Sequence, residues 1–336
     1  MKNKITLVVC AIVLLLTTAH NVFAAGKDVK LLKIGHNQST QHSCHAALEE
    51  FKRVLETESS GSITVELYPN AILGDDASML EQVALGTLHS CLLLAGPYYV
   101  SDIDGRGNIE ELPYLFEDIN AARAGYDGAF GEYVKSELIE PLLNIKVVDF
   151  WESGFRNFTN NVRPIYKPED MAGIKFRIPD SEIRRWAFEG YHAIGVPMSW
   201  SEVYTGLQQG TIQGQENPIA VAYANNLAEV QKYLSISNYV YCTSMLIMNP
   251  DFYNGLSEEE IKALNIAAEA GCRVQRELND KNEEMMIQEL QKGGMEINYV
   301  DFNAFKAASK HAWDKFVEKY GSELIELAAG QPYVKK

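Results

Sequence analysis

Two side chains in this sequence can grip an anion, and both stand where a strand gives out. Arg177 lies near the end of Gly173-Ile174-Lys175-Phe176-Arg177-Ile178-Pro179, where Ile174, Phe176 and Ile178 alternate with Lys175 and Arg177. That alternation is a half-buried strand, and Pro179 cannot continue its ladder. Asn217 precedes Pro218 in Gly214-Gln215-Glu216-Asn217-Pro218, so its backbone is restricted while its amide offers both donors and an acceptor. In an open α/β layer ligands sit beyond strand ends. A guanidinium there presents a planar fork that matches a carboxylate. The competing reading of Arg177 is a surface charge paired with Asp180 or Glu182. The chemistry on offer is binding, since no Gly-x-Ser-x-Gly elbow, P-loop, His-Glu-x-x-His or complete Gly-x-Gly-x-x-Gly occurs. His36, His42, Cys44 and His45 lie close in sequence. Their spacing lacks the ligand set of a metal site, so they read as an ordinary helix start, with no metal and no cofactor expected.

The elements around these residues follow from periodicity. Leu31 to Asn37 and Ile63 to Leu67 read as strands, and Cys91 to Leu94 as a short, fully apolar buried one. Between them, Ala47, Leu48, Phe51, Val54 and Leu55, then Met79, Leu80, Val83 and Leu88, mark two helices. Ser39 or Thr40 is the expected cap of the first, and Asp76 or Ser78 is expected to start the second. The order β-α-β-α-β implies a parallel sheet covered by helices. A strand through Ile145, Val147 and Phe150 leads to a crossing near Trp151 to Gly154. Beyond it, Asp180 or Ser181 caps one helix, and the capping box Ser199-Trp200-Ser201-Glu202 opens another that closes at Gly210. A short strand at Ile212 leads into the Asn217 turn, and Tyr239 to Met248 runs back. Ser257-Glu258-Glu259-Glu260 is a further capping box, and no Gly pair follows until Gly293-Gly294. A helix of ~35 residues is about 50 Å long, too long for one small domain to cover. It is expected to lie along two domains, with Gly271 inside it at a cost of about 1 kcal/mol. Ile297 and Tyr299 suggest a strand, and Phe305 to Tyr320 one last amphipathic helix. The expected class is α/β in two domains: 25–153 with about 243–282, and 154–242 with about 283–336.

Length, charge and the N-terminal segment agree with a soluble, exported protein. The chain has 336 residues, enough for two domains. Lys2 and Lys4 precede an apolar run from Ile5 to Ala19, and Val22-Phe23-Ala24 supplies a cleavage site, so 1–24 reads as a signal peptide. The run is shorter than the ~20 apolar residues a spanning helix needs. The formal net charge is −15, and cleavage after Ala24 removes two lysines more. Acidity of that size disfavours nucleic acid or an anionic membrane surface as partner. Cys44, Cys91, Cys242 and Cys272 are widely spaced and expected as separate buried thiols.

Three motifs agree in order and distance with one family. Lys175-Phe176-Arg177-Ile178-Pro179, then Pro197-Met198-Ser199-Trp200-Ser201-Glu202, then Gly214-Gln215-Glu216-Asn217-Pro218 resemble the solute-binding proteins of TRAP-type (tripartite ATP-independent periplasmic) transporters. Lys33-Ile34-Gly35-His36-Asn37, Leu73-Gly74-Asp75-Asp76 and Gly154-Phe155-Arg156-Asn157-Phe158 extend the resemblance over nearly the whole chain. It implies a periplasmic-binding-protein fold with hinge crossings. It implies that Arg177 clamps a ligand carboxylate, that Arg156 and Asn217 also touch the ligand, and that Trp200 stands over it. Asn37 and Asp76 match cleft positions of the other domain and would take hydroxyl groups. Trp151, Trp186, Tyr98 and Tyr99 read as packing residues. The implied function is capture of a small organic acid in the periplasm and delivery to TRAP membrane permease subunits, by a monomer that does not itself span the membrane. A sugar acid such as a uronate is favoured. C4-dicarboxylates, 2-oxo acids and aromatic acids stay open, as do an extracytoplasmic sensor and an exported enzyme.

Overall fold

A computed structural model describes residues 29–94 and 96–330; the expected signal peptide lies outside the described residues. The first lobe is built as its periodicity predicts. Strand β1 (Lys30–His36) precedes helix α1 (Ser43–Glu58), strand β2 (Ile63–Tyr68), helix α2 (Asp76–Leu85) and strand β3 (Ser90–Leu93). β1 pairs in parallel with both β2 and β3. The cap of α1 departs from expectation: it is His42, whose side chain accepts from the amide of Cys44. Ser39 is drawn out of the helix instead, because its hydroxyl donates to the carbonyl of Ala224 across the molecule.

Strand β4 (Lys146–Asn160) is one continuous strand of 15 residues, where the sequence suggested a strand and then a crossing. It pairs antiparallel with the 16-residue strand β8 (Tyr233–Met248), with register shifts between Val147/Asp149, Glu152/Gly154 and Arg156/Phe158. Those shifts break the alternation that would have marked a single strand, and they bend the pair between the lobes.

Between these long strands come β5 (Lys175–Ile178), α3 (Glu182–Gly190), β6 (Ile194–Pro197), α4 (Trp200–Gln209), β7 (Gly214–Pro218) and α5 (Ile219–Ala224). β6 was not foreseen; it pairs only with β5, and an edge position tolerates its Gly195 and Pro197. Asn217 belongs to β7 and not to a turn. The sheet order is β2-β1-β3-β8-β4-β7-β5-β6, and β9 (Glu296–Tyr299) pairs with β8. The capping boxes at Ser199 and Ser257 are both formed.

Helix α6 (Glu258–Lys292) has the 35 residues expected. It packs on α1 and β4 in the first lobe and on α5 in the second. The expected last amphipathic helix is broken at Ser309 into Phe302–Ala308 and α7 (Lys310–Tyr320). The Ser309 hydroxyl donates to the carbonyl of Phe305 and meets the Tyr191 hydroxyl at 2.6 Å, which holds the break in place. Cys44, Cys91, Cys242 and Cys272 are buried free thiols. No helix among the described residues is long and apolar enough to cross a membrane.

Candidate functional site

All six residues singled out from the sequence, Asn37, Asp76, Arg156, Arg177, Trp200 and Asn217, line one cavity of about 500 Å³. Arg177 stands on β5, largely buried, and its Nε donates to the carbonyl of Met198 at 2.8 Å. Met198 directly follows β6, the strand beside it, so the strand pairing itself orients the guanidinium plane. The two acids of the competing reading are engaged elsewhere. Asp180 pairs with Arg185 at 2.7 Å and Glu182 with Lys319 at 2.8 Å. Trp200 is the first residue of α4, and its ring lies 5.8 Å from the Arg177 guanidinium carbon. It also packs against the apolar cluster around Val203 and Leu207, so it serves core and cleft together.

Arg156 is differently placed. Its Nε and Nη2 form a fork on the Glu216 carboxylate at 2.5 and 2.9 Å, and Nη2 also donates to the Glu216 carbonyl. Glu216 further accepts from Arg184 at 2.5 Å and from the Tyr239 hydroxyl at 2.6 Å. Arg184 in turn reaches Glu111 through its Nε at 2.6 Å. Burial pushes the Glu216 carboxyl up, but the charges of Arg156 and Arg184 outweigh it and hold the group down at about 2. Two arginines and two glutamates thus form a buried cluster without net charge. Arg156 is held by Glu216, so its charge is compensated within the protein. Glu216 and Arg184 were missed by sequence reasoning, although Glu216 lies inside the very motif that marked Asn217.

The opposite wall comes from the first lobe. Asp76 is the first residue of α2, where its Oδ2 accepts from the Tyr99 hydroxyl at 3.1 Å and from the amide of Leu94 at 3.4 Å. Its Oδ1 is buried with no hydrogen-bond partner among the described residues. Burial raises this carboxyl to about 7, against the pull of Tyr99 and Leu94. Tyr99 therefore lines the cavity, where the sequence suggested packing alone. The side chain of Tyr98 lies outside the described residues. Asn37 accepts from Gln38 at 2.9 Å, and Gln38 accepts from Asn225 at 3.0 Å, a bond that joins the two lobes at the cavity rim.

Residues 34–320 match the DctP family, bacterial extracellular solute-binding proteins of family 7. The chain belongs to this family of TRAP-type solute-binding proteins. It is 31% identical, over 88% of its length and 90% of the relative's, to the 2,3-diketo-L-gulonate-binding periplasmic protein of Escherichia coli. The fold matches a TRAP periplasmic solute-binding protein from Polaromonas bound to D-erythronate, with a TM-score of 0.84 at 29% identity. That match covers 91% of this chain and all of the other. A relative from Roseobacter denitrificans with bound L-galactonate matches at 0.80 and 30% identity, covering 90% of this chain and 98% of that one. Membership of a solute-binding family agrees with a cavity that pairs an arginine with polar groups.

The histidines near α1 play a structural part. The rings of His36 and His45 meet at 3.1 Å. Burial lowers His36 to about 3 and His42 to about 4, so both are neutral at physiological pH.

Proposed function

We propose that this chain is the exported solute receptor of a TRAP transporter and that its cleft captures a hydroxylated monocarboxylic acid, a sugar acid, for delivery to the membrane permease. The carrying observation is the pairing, across one cavity, of the oriented guanidinium of Arg177 with the hydroxyl-binding groups Asp76, Asn37 and Asn217. Two parallel charge-assisted hydrogen bonds, each about 1.5–3 kcal/mol, supply a large part of the ~8 kcal/mol of a micromolar complex. The ligands of the relatives, D-erythronate and L-galactonate among them, combine one carboxylate with several hydroxyls.

A second carboxylate would face the carboxyl of Asp76, which disfavours a C4-dicarboxylate. The ligand drives closure because it touches both lobes only in the closed form. The lobes in this reading are 25–153 with about 243–282, and 154–242 with about 283–336, after removal of a signal peptide ending near Ala24.

Calorimetric titration with L-galactonate, D-erythronate, D-glucuronate and succinate tests the proposal. The sugar acids should bind at least about 100-fold more tightly than succinate, a difference of about 2.7 kcal/mol. Preferential binding of succinate, or of a ligand without an acid group, would overturn it.

A further inference from the structure

A buried line of hydrogen bonds leaves the cleft at Asn217 and runs through the sheet. Asn217 Nδ2 donates to Gln215 Oε1 at 2.6 Å, and Gln215 Nε2 donates to Thr159 Oγ1 at 2.9 Å. The Thr159 hydroxyl donates to Gln231 Oε1 at 2.8 Å. Gln231 Nε2 ends the line on two backbone carbonyls, of Val230 at 3.0 Å and Gln213 at 3.4 Å. None of the four side chains is more than 7% exposed.

The far end dictates the direction of every bond. A backbone carbonyl only accepts, so Gln231 must point its nitrogen at the two carbonyls and its oxygen at Thr159. The threonine hydroxyl has one proton and gives it to that oxygen. It must therefore receive from Gln215, whose oxygen is then left for Asn217. Reversing any amide sets two acceptors or two donors face to face in a buried place, which costs a desolvated polar pair. Asn217 is thereby held with its nitrogen toward Gln215. Its Oδ1 has no hydrogen-bond partner among the described residues, and the residue lines the cleft.

We infer that Gln215, Thr159 and Gln231 are positioning residues that turn the Asn217 oxygen to the ligand, so that the site selects acids with a hydroxyl next to the carboxylate over the corresponding 2-oxo acids. The inference rests on the sugar-acid reading of the cleft and narrows it. β5 and β7 are parallel neighbours with Phe176 opposite Gly214. By strand geometry this puts Arg177 and Asn217 on one face with Cα atoms about 8 Å apart. A carboxylate held by Arg177 therefore carries its C2 substituent toward Asn217. A hydroxyl there donates to Oδ1, whereas a carbonyl meets it acceptor to acceptor. Buried groups left unpaired in this way are the strongest source of selectivity between close analogues.

The test compares D-erythronate with 3,4-dihydroxy-2-oxobutanoate, its counterpart differing only at C2 and too short to close a hemiketal ring there, by calorimetry on the full mature chain. The native protein and Thr159→Ser, which keeps the hydroxyl, should favour D-erythronate by about tenfold or more. Thr159→Val and Gln231→Met each break the relay at a different bond and should bring the ratio near one while the far-ultraviolet spectrum stays native. A purely structural role for Thr159 would weaken both acids alike. A native protein that binds both acids without preference, or variants that keep the native ratio, overturn the relay and leave the sugar-acid reading standing. A native protein that binds neither acid overturns that reading and the relay with it.

Discussion

The guanidinium carbon of Arg177 lies 5.8 Å from the centre of the Trp200 ring, and its Nε is tied to the Met198 carbonyl at 2.8 Å. The two contacts come from one short stretch of chain, the end of β6 and the start of α4. A ring on one side and a carbonyl on the edge leave a flexible side chain with little rotational freedom. An arginine held in this way loses less entropy when it forms two parallel bonds to a carboxylate.

Substitution of that arginine separates charge from geometry. Arg177→Ala removes two charge-assisted hydrogen bonds and should weaken binding of L-galactonate by roughly 10²–10⁴-fold, or about 3–6 kcal/mol. Arg177→Lys keeps the charge but loses the fork and should still be about tenfold weaker than native. Calorimetric titration of both variants decides the matter. A lysine variant with native affinity would show that the site reads charge alone.

Glu216 is the keystone of a buried cluster, and its removal should damage stability before it damages binding. Glu216→Gln leaves Arg156 buried without its counter-charge and Arg184 with Glu111 alone, a loss of about 3–5 kcal/mol in urea denaturation at pH 7. The pH profile gives an independent check. The Glu216 carboxyl falls from 4.5 to about 2 in the folded chain. Its contribution is complete above pH 4.5 and lost as the pH falls toward 2. The Glu216→Gln variant should lack that acid-side loss, so its stability gap to the native protein should narrow steadily below pH 4.5.

Asp76 has the opposite sign. Its folded value of about 7 lies above the ordinary 3.8, so the folded chain holds a proton that the unfolded chain releases. Stability contributed by this proton is present at low pH and disappears as the pH rises from 3.8 to 7. Asp76→Asn keeps an acceptor for the Tyr99 hydroxyl and does not titrate. Relative to native, the variant should gain about 4 kcal/mol on going from pH 4 to pH 8. Urea midpoints at several pH values measure it. A gap independent of pH would show that Asp76 titrates normally.

What the sequence disclosed was whatever depends on near neighbours. The capping boxes at Ser199 and Ser257 and the alternation through Ile174 to Ile178 are local, and each formed where it was expected. The six cleft residues were legible through motif spacing and came together in one cavity. The partners that govern them were not. Arg156 lines the cavity, and its partner Glu216, 60 residues away, reaches it only because β4 and β7 pair with Arg156 opposite Pro218. Tyr99 looked like packing because nothing local to it announces the carboxylate of Asp76, 23 residues earlier. The continuity of β4 was hidden by register shifts, which carry a strand through a stretch where its alternation fails.

Gly271 shows the same limit in energetic form and yields the sharpest stability prediction. Helix propensity alone says that Gly271→Ala in the middle of α6 should stabilise the protein by about 1 kcal/mol. The structure reverses the sign. A Cβ at this position would lie 2.5 Å from two ring carbons of Trp151 and 3.0 Å from the carbonyl of Ala47. Trp151 is fully buried on β4 and Ala47 sits on α1, so neither neighbour can retreat without moving the contact between α6, α1 and β4. Overpacking of this kind costs about 1–3 kcal/mol, enough to outweigh the propensity gain. Gly271→Ala should therefore lower the urea midpoint. In a Trp151→Leu background, where the ring is gone, the same alanine should be neutral or stabilising. If the alanine raises stability in the native background, close approach of α6 to Trp151 is not what keeps the glycine there.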